Sequence, residues 1–358
     1  MIKVNKGEWS ELYVFLRLLG DGVLYAANEK LDKINELYYP LIEIPREENK
    51  NIKHYIKEEA DIKIIDEEGN ILLKLPASEF KKRAFMLLNA IKNSTGTFSV
   101  TEIENFMKTI YCTKVKADST DKSDITLVLH DYKTYKNEKF GFSIKSRLGS
   151  SSTLLNAGYP TNFIYEITGN LTEEQIKKIN EIDTKSKIRD RLKKMSELNC
   201  KLKFYRTENA VFNANLQMID SLFPKIISEY LLLYYTNQGK LISELTDKIK
   251  EINPCNLDTT LPHAYYEYKI KNFLTDVALG MTAATPWNGF YQATGGYIVV
   301  REDGEVFCYH IYNHNESQEY LYKNTRFETP STKKYNFGKI YKENNKKYIK
   351  LNLQIRFI

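Results

Sequence analysis

Long hydrophobic runs are missing from this sequence: no stretch approaches the ~18 uninterrupted apolar residues that a membrane-spanning helix needs, and MIKVNKGEWSELY at its start has no apolar signal core. Cysteine is scarce. Cys112, Cys200, Cys255 and Cys308 lie far apart with no Cys-x-x-Cys pair, which argues against a structural zinc site and for reduced thiols. A soluble, cytoplasmic protein without a membrane partner is expected. The five histidines (His54, His130, His263, His310, His314) show no HExxH or similar metal spacing, and structural roles are expected for them. Phosphate-binding P-loops, glycine-rich dinucleotide fingerprints and nucleophile elbows are absent as well, which sets aside the enzyme classes that depend on them.

What is present is an ordinary globular balance, with 42% hydrophobic and 27% charged residues over a length that suggests two or three structural units. The net charge of +6 permits a nucleic-acid partner without demanding one. Tyrosine is abundant, 26 residues against two tryptophans. That suits surfaces both apolar and hydrogen-bonding, or reflects only an AT-rich gene.

Residues 6–19 (KGEWSELYVFLRLL) have helical spacing, with Gly20-Asp21-Gly22 as the stop. Short strands are expected at 38–44 and 61–75, and helices from Ser78 to about Lys92 and from Thr101, where Glu104 completes a capping-box pattern. Ile125–His130 and Lys139–Ser146 read as paired strands around a polar turn, and NFIYEIT as a third. From Thr172, helical periodicity continues with breaks to about residue 252, with Pro224 starting or kinking a helix; a last helix covers about 265–281. GGYIVVREDGEVFCYHIYN is a hairpin turning at Asp303-Gly304, and YIKLNLQIRF alternates as a strand. The division expected is 1–170, 171–285 (mainly helical) and 286–358 (β-rich).

Within the paired strands, Asp124 precedes the first and Lys145 lies on the second, where Gly141, Ser143 and Lys145 share a face. A carboxylate that holds Mg²⁺ near a phosphate, and a cation that orients water and offsets phosphoryl charge, are what metal-assisted phosphodiester hydrolysis needs. A solvated strand end and a surface lysine would give the same spacing. Magnesium usually takes more than one carboxylate, and position 143 is Ser. Glu8 and Glu11, three apart on one side of the first helix, are the best further candidates, with Glu166 a weaker one. The basic run KSKIRDRLKK (185–194) reads as a solvated helix face or a DNA contact, and His310 and His314 could also touch DNA.

NKGEWSELYVFLRLLGDGVLYAA, KSDITL…GFSIKSRLGSSSTLLNAG…TNFIYEI and TGGYIVVREDGEVFCYHIYN…ETPSTKKYNFGKIY…LNLQIRF, in that order, resemble the HpaII family of type II restriction endonucleases over essentially the whole chain. The resemblance implies an α/β (α+β) fold of the PD-(D/E)xK nuclease kind, a central mixed sheet flanked by helices. It implies Mg²⁺-dependent cutting of double-stranded DNA at CCGG and a cognate cytosine methyltransferase; a palindromic site favours a homodimer on the DNA or two sequential nicks. It places the metal-binding aspartate on Asp124, with the Ile144 carbonyl as a further ligand, and the water-positioning lysine on Lys145. Ser143 stands where the superfamily has an acid, which shifts weight to Glu11 or Glu8. DNA contacts are expected from Lys122, from Ser146, Arg147, Ser150, Ser151, Ser152 and Asn156 around the loop, and from Arg326, Thr329, Ser331, Thr332, Lys333 and Lys334; Arg147 and Arg326 are the guanine readers to test first. Because of Ser143, a DNA-binding protein without cleavage, or a repair or modification-dependent nuclease on the same scaffold, stays open.

Overall fold

The computed structural model describes residues 1–116, 123–132 and 135–358. The chain forms two compact units. One comprises Met1–Ser152, Ala278–Gly280 and Tyr291–Tyr320; the other comprises Thr153–Val277, Met281–Phe290 and Leu321–Ile358. Eleven α-helices and a central mixed sheet occur among the described residues, the fold class expected from the sequence. None of these helices is long and apolar enough to cross a membrane.

The first unit is built on nine strands, in the order Val23–Ala27, Val306–His310, Gly296–Val300, Lys136–Ser146, Ile125–Asp131, Lys33–Glu48, Asn51–Glu58, Asp61–Ile65 and Ile71–Pro76. Two neighbouring pairs run parallel: Gly296–Val300 beside Lys136–Ser146, and Val306–His310 beside Val23–Ala27. Val23–Ala27 also pairs with Lys33–Glu48, so six strands form a closed hydrogen-bonded ring. The other three continue outward as a meander. The sixteen-residue strand Lys33–Glu48 belongs to both. The sequence suggested only its middle, and it missed Asn51–Glu58, because a half-exposed strand rich in Lys, Asn and Glu carries little apolar alternation.

The first helix, Lys6–Asp21, is apolar on more than one stripe, and such a helix must be surrounded. Trp9, Leu12, Tyr13, Phe15, Leu16 and Leu19 are fully buried. The Trp9 indole N–H donates to the Phe98 carbonyl at 3.0 Å, and the Tyr13 hydroxyl reaches the Gly304 carbonyl. Gly20 does not end this helix. A Cβ there would lie 2.7 Å from the Lys81 nitrogen, so the glycine lets the helix Ala77–Asn93 pack closely, while Gly22, at φ 70°, provides the left-handed cap.

The helix Thr101–Thr109 corrects an expectation. Thr101 is its first helical residue, Val100 is the cap without a side-chain bond, and Glu104 is buried beside the Met1 amino group instead of closing a capping box. NFIYEIT is a strand, Asn162–Thr168, but it belongs to the second unit's antiparallel sheet, between Lys201–Thr207 and Lys346–Asn352. Lys201–Thr207 interrupts the stretch read as helical. The Thr172–Gln175 capping box, the Pro224 helix start and the hairpin around Gly304 form as expected.

One buried ion pair ties the long strand to the segment after the Thr101–Thr109 helix. Arg46 Nε donates to Glu48 Oε1 at 2.6 Å, and Glu48 Oε2 accepts the Thr113 N–H at 2.7 Å. The Arg46 guanidinium also donates to the carbonyls of Lys114 and Val115. Removing one partner leaves the other charge buried without a counter-charge. Glu48→Ala should therefore lose about 3 kcal/mol in urea denaturation. A loss well under ~1 kcal/mol, the scale of an exposed pair, would show that residues 113–115 are held by other contacts.

Candidate active site

Asp124 stands where the strand Ile125–Asp131 begins, and its N–H donates to the Phe142 carbonyl at 2.8 Å. Its Oδ2 accepts the Ile144 N–H at 2.7 Å and the Ser143 hydroxyl at 3.1 Å. Ser143, where an acid was expected by analogy, thus serves as a donor that fixes the Asp124 carboxylate. The lysine two residues on, Lys145, faces Val299 in the parallel neighbour and lies beyond the antiparallel pairing with Ile125–Asp131, which stops at Phe142.

The first helix supplies the second carboxylate. Ser10 donates to the Lys6 carbonyl at 2.7 Å and lies 2.8 Å from the Ser146 hydroxyl, which pins this helix to the end of the Lys145 strand. Glu11 is thereby brought toward Asp124. Its Oε2 is buried and has no hydrogen-bond partner. Burial, then the Asp124 charge, then Glu8, push its carboxyl up to about 7, against the opposing pull of Lys116 and Arg46. Lys116 Nζ lies 3.7 Å from Glu11 Oε1 and 3.8 Å from Asp124 Oδ1. Desolvation holds the Lys145 ammonium below the ordinary lysine range, although Asp124 and Glu11 pull the other way.

Glu8 plays a different part. It closes the capping box of the first helix: its Oε2 accepts the Asn5 N–H at 3.0 Å while the Asn5 side chain accepts the Glu8 N–H at 3.1 Å. Glu166 lies in the second unit's sheet and pairs with Lys346 at 3.0 Å. No cluster of three or more His, Cys, Asp or Glu side chains suited to a metal occurs among the described residues; Glu11 and Asp124 are the two carboxylates whose charges act on Lys145.

The expected DNA-contacting residues fall in several places. Lys122 lies outside the described residues. Ser146 bonds Ser10, and its carbonyl accepts the Ser152 hydroxyl at 2.8 Å; Ser150 is exposed, and Ser151 half-buried. Arg147 is half-buried, bonded through its side chain to Tyr320 and through its N–H to the Val300 carbonyl. Asn156 is exposed in the second unit. Arg326 pairs with Glu328 at 3.1 Å, and Arg356 with the same carboxylate at 2.7 Å. Thr329, Ser331, Thr332 and Lys333 line a cleft of about 560 Å³ in the second unit, and Lys334 lies over the Tyr335 ring. Lys185, Lys187 and Arg189 line the same cleft, a convergence the sequence could not show. The sequence also missed Lys116, because an isolated lysine in an irregular stretch carries no pattern. His310 is fully buried among Tyr39, Phe140, Phe142 and Tyr312, which overturns the idea of a DNA contact there.

A family model of the HpaII restriction endonuclease matches residues 5–357. The chain belongs to that family. The type II restriction enzyme HpaII of Haemophilus parainfluenzae is 44% identical over 356 residues, which cover 99% of this chain and 98% of that enzyme. No solved structure matches the chain. Membership of the HpaII restriction endonuclease family makes the protein a site-specific endonuclease, a hydrolase whose substrate is DNA.

The raised Glu11 carboxyl sets a pH dependence whose sign follows from linkage. Between 4.5, where the unfolded chain ionises, and about 7, the folded protein keeps a proton that the unfolded one has released. Stability of the metal-free protein is therefore lost as pH rises through that window and levels off above it. In EDTA, Glu11→Gln should melt higher than the parent above pH ~7 and lose that advantage below pH ~4.5. Parallel melting curves across the window would remove Glu11 as the titrating group.

Proposed function

We propose that the chain cuts both strands of double-stranded DNA at CCGG, acting as a homodimer on that palindrome with Mg²⁺ held by Glu11 and Asp124. The observation that carries this reading is the partnerless buried oxygen of Glu11 next to Asp124. Two sheltered carboxylates repel one another, and one lone pair is left without a proton donor. That donor set suits a hard divalent cation. Glu11 is preferred to Glu8, whose carboxylate is used in the helix cap. The Ile144 carbonyl is a further candidate ligand.

When bound, the cation supplies a Lewis acid for the scissile phosphate and an acidified water. The protein's own groups do the rest. Ser143 and the Ile144 N–H hold Asp124 Oδ2 in place, so this carboxylate is oriented before substrate arrives. Lys145, desolvated yet facing two carboxylates, orients the attacking water and offsets charge on the phosphoryl oxygens. The Ser150–Ser152 loop and the cleft bearing Thr329, Ser331, Thr332 and Lys333 contact phosphates, and Arg147 and Arg326 are candidates for reading guanine. A cytosine methyltransferase protects the same sequence in the cell, and the protein works in the cytoplasm.

Digestion of unmethylated and CCGG-methylated plasmid with Mg²⁺ tests the reading. Discrete fragments from unmethylated DNA alone are expected. Site-specific retention without cutting would make the chain a binding protein, and cutting of methylated DNA alone a modification-dependent nuclease. Asp124→Ala and Lys145→Ala should each slow cleavage by about a thousandfold while gel-shift binding in Ca²⁺ survives. Near-parental cutting by either variant would overturn the assigned roles.

A further inference from the structure

Lys116 occupies a distinctive position. Its ammonium lies between the two carboxylates, 3.7 Å from Glu11 and 3.8 Å from Asp124. The carboxylates are sheltered, with 16% and 18% of their side chains exposed, whereas the Lys116 side chain is 53% exposed. Its backbone anchor is firm, because the carbonyls of Lys114 and Val115 are held by Arg46, itself locked to Glu48. The four-carbon stem is thus tethered at its backbone end and open to solvent at the other.

We propose that Lys116 is a resident counter-ion of the Glu11–Asp124 pair, one that a divalent cation must displace to bind. This inference rests on the reading that the metal binds these two carboxylates. The physical case is one of competing charge. Two carboxylates brought together out of water repel, and without a metal a positive group near both relieves that repulsion while they stay ionised. Lys145 is one such group, but it is part of the sheet and desolvated. Lys116 is the exposed one, and its ammonium lies 3.7 Å and 3.8 Å from one oxygen of each carboxylate. A cation that takes those oxygens meets an ammonium already there, so the lysine weakens metal binding while it stabilises the metal-free state. After displacement the ammonium remains tethered beside the site, within reach of solvent.

The readout is metal affinity in the absence of DNA, measured by titrating the protein with Mn²⁺ and following free Mn²⁺ by electron paramagnetic resonance. Lys116→Met should bind Mn²⁺ roughly three- to tenfold more tightly than the parent, the scale expected from losing two partly exposed ion pairs. The same variant should melt at a lower temperature in EDTA and regain the difference when Mn²⁺ is added. Lys116→Arg, which keeps the charge, should match the parent in affinity, and Lys116→Gln should behave like the methionine variant if the effect is charge and not packing. Unchanged or weaker binding by both neutral variants would overturn the proposal. Glu11→Gln separates the two levels of argument: if it binds Mn²⁺ as tightly as the parent, the assignment of the metal to this pair fails, whatever Lys116 does.

Discussion

Placing Glu11 out of water beside Asp124 costs free energy, and much of the first unit is arranged around that cost. A lone buried carboxylate would simply take up a proton, and the Glu11 carboxyl leans that way, being pushed up to about 7. What keeps the pair usable is the set of groups aimed at it. Ser143 and the Ile144 N–H hold one oxygen of Asp124, Lys116 spans both acids, and Lys145 sits in the sheet nearby. The buried apolar side chains of the first helix and its Ser10–Ser146 bond then fix Glu11 where the strands fix Asp124. The burial is mechanical as well as energetic, since a loosely packed helix could not hold an acid in an unfavourable place.

Ser143 carries no charge, yet two acids, Glu11 and Asp124, lie close together near it. The second carboxylate is delivered by a helix near the start of the chain instead of by the lysine-bearing strand. Ser143 on that strand is a hydrogen-bond donor to Asp124. The geometry of the centre consequently depends on how the first helix docks, which in turn depends on Trp9, Tyr13 and the close approach at Gly20.

The legible parts of the sequence were those with a strong local signal. The first helix, the paired strands around Asp124 and Lys145, the Thr172–Gln175 capping box, the Pro224 helix start and the Gly304 hairpin all carry periodicity or capping chemistry within a few residues. The losses were of two kinds. The half-exposed strand Asn51–Glu58 shows little apolar alternation, Lys201–Thr207 is a short strand set inside a long helical stretch, and Thr101 imitates a cap that the backbone does not use. The other kind was non-local. That NFIYEIT joins a different sheet from its predecessors, that Lys116 reaches two acids, and that residues 185–189 share a cleft with 329–333 are facts about three-dimensional proximity. Of the two glutamates near the start, the sequence left the choice open. The cap bond of Glu8 and the partnerless oxygen of Glu11 are what distinguish them.

The ring of six strands also has a temporal side. The strand carrying Lys145 gains one of its neighbours from Gly296–Val300, and Val23–Ala27 gains one from Val306–His310. A chain emerging from the ribosome therefore presents Glu11, Asp124 and Lys145 long before the strands that close the ring exist. Until about residue 310 has been made, the sheet has two open edges where the finished ring has none. An unfinished copy of this enzyme holds all three key side chains yet lacks the closed frame that would steady them. The frame around Glu11, Asp124 and Lys145 is thus complete only once the strands near residue 310 have been made.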